Sequence, residues 1–80
     1  MKTSTLFSKL DALENYDYGT QQDGEIEIYD DNFNSVQASI YVNKQGFLKI
    51  YFEYPELDDE DLELISILTE YVKTPLKDRA

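Results

Sequence analysis

Gly24-Glu25-Ile26-Glu27-Ile28-Tyr29, then Val36-Gln37-Ala38-Ser39-Ile40-Tyr41-Val42, then Phe47-Leu48-Lys49-Ile50-Tyr51-Phe52-Glu53: these three runs decide the fold. In each, side-chain character changes at every second residue, the period of a half-buried strand. Ile26 and Ile28 oppose Glu25, Glu27 and Tyr29. Val36, Ala38, Ile40 and Val42 oppose Gln37, Ser39 and Tyr41, and Leu48, Ile50 and Phe52 oppose Phe47, Lys49, Tyr51 and Glu53. Asp30-Asp31-Asn32-Phe33-Asn34 reads as a turn. Asn43-Lys44-Gln45-Gly46 reads as a hairpin loop, with Gly46 in the left-handed conformation that closes a type I turn with a bulge. Pro55 stops the third strand. Pairing Asn43 with Phe47 would set Tyr41 opposite Lys49, Ser39 opposite Tyr51 and Gln37 opposite Glu53.

A helix is expected on each side of this meander. Ser4 or Thr3 can cap the first, whose Leu6, Leu10 and Leu13 fall on one stripe beside Phe7. Asn15 and Gly19 break that pattern, so Tyr16 to Asp23 reads as a polar loop. Asp58 can cap the second helix, with Asp61 completing a weaker form of the capping box and Leu57 and Leu62 placed as a hydrophobic staple. Leu62, Leu64, Ile65, Leu68, Tyr71 and Val72 make its apolar face. Pro75 ends it, leaving residues 75–80 as a short C-terminal tail. The expected architecture is α+β, a single domain over residues 1–80 in the order helix, three-stranded antiparallel meander, helix (αβββα). Both helices cover the face made by Ile26, Ile28, Val36, Ala38, Ile40, Val42, Leu48, Ile50 and Phe52, because a small sheet must bury one face.

Composition narrows the chemistry. Hydrophobic residues make up 41% of the 80 residues, too many for a disordered acidic tail. With no cysteine and no histidine, the chain lacks disulfides, thiolate zinc sites and most general bases and nucleophiles. The expectation is a non-enzyme without cofactor or metal. A calcium loop starting at Asp30, Asn32 and Asn34 fails, since the glycine at its sixth position is Ser35 and the glutamate at its twelfth is Tyr41. No apolar run approaches the roughly 18 residues of a membrane span, and the N-terminal residues do not read as a signal peptide. The expected location is cytoplasmic.

Charge is the main functional clue. Seventeen acids against seven bases give a net charge of -10, which opposes compaction, repels nucleic acid and lipid headgroups, and attracts a basic partner. In an up-down-up meander the Asp30-Asp31 turn and the segment from Pro55 to Glu63 share one end. Asp30, Asp31, Glu53, Glu56, Asp58, Asp59, Glu60, Asp61 and Glu63 would gather there as a partner-binding patch, with Lys44 and Lys73 at the far side. Carboxylates in a first helical turn also serve the helix dipole and cap its amides, so solubility and capping stand beside the functional reading. On the open sheet face, Tyr29, Tyr41 and Tyr51 are candidate anchors for a partner, or ordinary cross-strand pairs. Their neighbours Glu25, Glu27 and Glu53 argue against direct binding of nucleic acid.

The helix–three strands–helix order, the small size and the acidic face resemble small phage-encoded inhibitors, including some anti-CRISPR proteins. Several of these look like DNA to their targets, with carboxylates standing in for phosphates in a basic channel. The resemblance covers layout and charge, rests on no motif and assigns no role to any single residue. It implies an inhibitor or modulator of a basic, nucleic-acid-handling protein, testable by reversing Asp58, Asp59 and Asp61 to lysine. The alternative is a structural or assembly subunit that forms a homodimer, or docks on a larger protein, through the tyrosine-bearing sheet face.

Overall fold

The alternating runs do form strands, and a further strand precedes them. The structure is a computed structural model that describes residues 1–80 except Phe33 and Tyr54. Phe33 belongs to the expected turn after Tyr29, so that part of the turn lies outside the described residues. Helix α1 spans Thr3–Asp11, β1 Tyr16–Thr20, β2 Glu25–Asp30, β3 Ser35–Tyr41, β4 Leu48–Ile50 and α2 Asp59–Lys73, followed by a 3-10 turn at Leu76–Asp78. The strands make one antiparallel sheet in the order β1-β2-β3-β4. The class is α+β, with four strands in place of the expected three.

β1 corrects the reading of residues 16–23 as a polar loop. Asp17 and Gly19 are poor strand formers, yet both lie on the outer face, paired with Tyr29 and Glu27. The inward positions are aromatic. Tyr16 is buried, and Tyr18 stacks on Phe7 with ring centroids 5.0 Å apart and planes within 6°. Burial, and then the Asp11 carboxylate, raise the Tyr18 phenol above its usual pKa.

Leu6 and Leu10 of α1, Leu64, Ile67, Leu68, Tyr71 and Val72 of α2, and Tyr16, Ile26, Ile28, Ala38 and Ile40 of the sheet form one core cluster. Both helices therefore cover one sheet face. Three residues expected in this core are exposed, and Val42, Leu48, Phe52 and Ile65 are half-buried. Ile28 pairs with Ala38 but Tyr29 pairs with Val36, so Gln37 is an extra, bulged residue. The bulge exchanges the faces of β3, and Val36 joins its partner Tyr29 on the outer side, 37% exposed. Ile50 points inward beside the fully buried Ala38, yet stays 42% exposed because, among the described residues, no strand lies beyond β4 in the sheet order. Leu62, in the first turn of α2, is 52% exposed.

The β3–β4 register is shifted by two residues from the expected one. Ser39 pairs with Lys49, and the Tyr51 amide donates to the Gln37 carbonyl at 2.8 Å. An even shift preserves the two faces but lengthens the loop. That loop docks on the end of α2, where Gly46 N–H donates to Val72 O at 2.9 Å and Gln45 Nε2 to Lys73 O at 3.2 Å. Gly46 has φ +80°, the left-handed conformation expected of it.

Helix ends leave backbone groups that need partners from elsewhere. Lys2, not Ser4 or Thr3, is the N-cap of α1 and offers no side-chain cap; the Thr3 amide instead donates to Arg79 O at 2.8 Å. At the other end of α2, Glu70 O accepts from Thr74 Oγ1, Tyr71 O from the Thr74 amide, and Val72 O and Lys73 O from the docked loop. Arg79 completes this closure. Expected in a tail, it is only 3% exposed. Its Nε donates to Thr74 O, its Nη2 to Val72 O, and its Nη1 to the carbonyls of Tyr41, Val42 and Lys44, at 3.0–3.3 Å. The guanidinium carbon lies 4.4 Å from the Tyr71 ring centroid. No helix among the described residues is long and apolar enough to cross a membrane.

Two glycines test how tightly the hairpins hold. Gly24 has φ +93°, and a Cβ there would meet Asn43 Nδ2 at 2.9 Å, the atom that donates to Asp23 O. At Gly46 a Cβ would meet nothing within 4 Å. Gly24→Ala is expected to cost about 2–3 kcal/mol and Gly46→Ala about 1 kcal/mol, since only the first adds a clash to the left-handed penalty. Urea denaturation of both variants checks the order.

Candidate functional site: an acidic end

Two distant segments build one concave acidic surface. Asp30, at the end of β2, faces Glu56, Asp58, Glu60 and Asp61, which lead into α2. With Asn15, Tyr16 and Asn32 they line a cavity of about 300 Å³. Asp31, Glu53, Asp59 and Glu63 lie outside this lining and are exposed. Among the described residues, no group of three or more acids converges closely enough to hold a metal ion.

The acids in and around the cavity divide into two kinds. Asp58 Oδ1 accepts from the Asp61 amide at 2.9 Å, and Asp61 Oδ2 from the Asp58 amide at 3.0 Å, a full capping box. The buried Tyr16 hydroxyl donates to Asp61 Oδ1. Glu60 accepts from the amides of Glu14 at 2.8 Å and Asn15 at 3.1 Å, fastening the α1–β1 connection to α2. Asp30 Oδ1 accepts from the Asn32 amide at 2.8 Å, a local turn bond. These four carboxylates hold the fold together. The carboxylates of Glu56, Asp31, Glu53, Asp59 and Glu63 are exposed and accept no hydrogen bond among the described residues. Reversing Asp58 and Asp61 would therefore remove the helix cap, so that triple substitution cannot separate binding from folding. Asn15, Tyr16 and Asn32 were not among the expected site residues. The recurrence of tyrosine at 16 and 18 was the available signal for a strand leading there.

The sheet-face tyrosines differ in their surroundings. Tyr51 is opposite Gln37 and 43% exposed, and Tyr29 is half-buried between Asp17 and Val36. Tyr41 is four residues further along β3 than Gln37, roughly 13 Å. It packs edge-on against Phe47 at 4.7 Å, under Lys44 Nζ at 4.2 Å. Burial, then the carboxylates of Glu25 and Asp23, raise its phenol above the usual pKa. Asp23, Glu25 and Glu27 line a second, shallower concavity with Gln21 and Gln22. Glu25 also accepts from the buried Ser39 hydroxyl at 2.6 Å. Acids thus occupy both ends of the sheet. Lys44 and Lys73 share the second end through the docked loop, whereas no cation lines the first. The ion pair found among the described residues, Lys9 with Glu70 at 3.9 Å, is exposed and contributes little.

No protein-family model, no curated protein and no solved structure matches this chain.

Proposed function

We propose that this chain is a small acidic protein-binding module, an inhibitor or modulator that engages a basic, nucleic-acid-handling protein by charge mimicry. One observation carries the reading. Acids from the end of β2 and from the entry to α2 line a single concavity without a cation in it, and further exposed carboxylates lie in the same segments. Capping and turn bonds account for Asp30, Asp58, Glu60 and Asp61. They do not account for Asp31, Glu56 and Glu63, whose mutual repulsion opposes folding and whose exposure, like that of the dipole-stabilising Asp59, leaves them available to a cationic cleft. Such a module works by occupancy, needs no catalytic group, and fits a cytoplasmic setting and inhibitors of the phage-encoded kind. Dimerisation through the sheet face is the weaker alternative, since Tyr41 is already engaged by Phe47 and Lys44.

The test reverses only the exposed acids: Asp31→Lys, Glu56→Lys, Asp59→Lys and Glu63→Lys together. Proteins captured from the host on the wild-type chain should include a basic protein that salt elutes and double-stranded DNA displaces. The quadruple variant, unchanged in its unfolding curve, should bind that protein about 100-fold more weakly at low salt. Undiminished affinity in the variant would reject charge mimicry.

A further inference from the structure

One lysine of this acid-rich chain is held by aromatic rings rather than by a carboxylate. Lys44 Nζ lies 4.2 Å from the Tyr41 ring centroid and 5.6 Å from that of Phe47. The two rings stand edge to face, 4.7 Å apart with their planes at 88°, and form a two-walled corner around the ammonium. Among the described residues, Lys44 Nζ makes no ion pair and no hydrogen bond, although the chain carries seventeen acids. A ring face attracts a cation through its quadrupole, and more strongly once the cation has shed its water. The surroundings of the corner add negative charge. Glu25 pairs with Tyr41 and Glu27 with Ser39, and together they outnumber Lys49, which pairs with Ser39 from the other side. Glu25 and Glu27 also line the shallow concavity shared with Gln21, Gln22 and Asp23.

The main chain fixes this corner, whereas its occupant is exposed. Lys44 O accepts from Arg79 Nη1 at 3.0 Å, and Gln45 and Gly46 dock on the end of α2. The loop therefore stays in place when the flexible four-carbon stem of Lys44 swings into solvent. We propose that the Tyr41–Phe47 corner is a binding site for an alkylammonium group, a lysine side chain of another protein in its methylated form, and that Lys44 occupies it as a displaceable plug. Methylation weakens hydration of the ammonium, so the methylated group leaves water for the rings more readily than Lys44 does. The carboxylates beside the corner repel the phosphate of a choline headgroup, which selects a protein side chain over a lipid. The corner lies at the end of β2 and β3 opposite Asp30, and the proposal does not rest on the reading of the acidic concavity.

The probe is acetyl-trimethyllysine amide, with acetyl-norleucine amide as the uncharged control and phosphocholine as the headgroup control. Proton NMR reads both sides of the exchange, because ring currents shift the ligand N-methyl and the Lys44 ε-methylene signals upfield. Trimethyllysine amide should bind the wild-type chain, move its own N-methyl signals upfield and return the Lys44 signals to the positions of a free lysine. Lys44→Ala, which leaves the carbonyl of residue 44 on Arg79, should bind the probe about threefold more tightly. Phe47→Leu keeps apolar bulk without the ring and should bind it about threefold more weakly. If either variant does not fold, displacement of Lys44 in the wild-type protein decides alone. Absence of binding, binding that leaves the Lys44 signals unmoved, or equal binding of norleucine amide overturns the proposal. Unchanged affinity in folded Lys44→Ala or folded Phe47→Leu overturns it as well, the first by removing the plug and the second by removing the rings from the site. Phosphocholine that binds as tightly as trimethyllysine amide overturns the choice of a protein side chain in favour of a headgroup. Each of these outcomes leaves the quadruple-charge test of the acidic end unaffected.

Discussion

Arg79→Ala is expected to lower the unfolding free energy by about 3–5 kcal/mol. A chain of this length has roughly 4–12 kcal/mol in total, so the variant should be close to unfolded at 37 °C. The guanidinium is buried without a carboxylate and is held by five main-chain carbonyls and the Tyr71 ring. Two of those carbonyls, of Val72 and Thr74, lie at the C-terminal end of α2, where the helix dipole also favours a cation. Truncation removes the donors and leaves carbonyls of Tyr41 and Lys44 facing a void. Arg79→Lys keeps the charge but not the planar fork that reaches loop and helix together, and should recover half of the loss or less. Arg79→Met keeps contact with Tyr71 but donates nothing, and should behave like alanine. Urea denaturation of the three variants separates these terms. A loss below 1 kcal/mol for alanine would show that water replaces the guanidinium.

Asp61→Ala is expected to cost about 2–4 kcal/mol. Its two oxygens serve different elements: Oδ2 accepts the Asp58 amide within the capping box, and Oδ1 accepts the buried Tyr16 hydroxyl from β1. Loss of the reciprocal cap contributes about 1 kcal/mol, and a stranded phenol adds its desolvation, about 1–3 kcal/mol. Tyr16→Phe alone should cost about 1–2 kcal/mol, because it removes donor and demand together. A double-mutant cycle between the two should give a coupling of at least 1 kcal/mol. Additive losses would mean that the hydroxyl and the carboxylate act separately. Because Asp61 belongs to the acidic concavity, the cycle also measures how much of that surface is structural.

Period-two alternation was enough to place β2, β3 and β4 and the inward direction of Ile26, Ile28, Ala38 and Ile40. The Asp58–Asp61 spacing was enough to start α2 at its observed cap. What escaped depended on contacts between distant residues. β1 was hidden because Asp17 and Gly19 lower local strand preference, while Tyr16 and Tyr18 gain their energy from Asp61 and Phe7, remote in sequence. Val36 was misplaced because the bulge at Gln37 leaves no local mark, and the β3–β4 register because its loop length is set by the end of α2. Arg79 looked like tail because its hydrogen-bond acceptors are all backbone carbonyls, which carry no side-chain signature. Within the acidic end, the meeting of Asp30 with residues 56–61 followed from the meander topology. Which carboxylates are held by amides and which are left to solvent depended on atomic positions that spacing does not encode.

The guanidinium of residue 79 grips the loop from which β4 departs and, with the same planar group, the last turn of α2. Hairpin loop and helix terminus are consequently tied together through a single side chain, about 20 Å from the cap at Asp58 at 1.5 Å per residue.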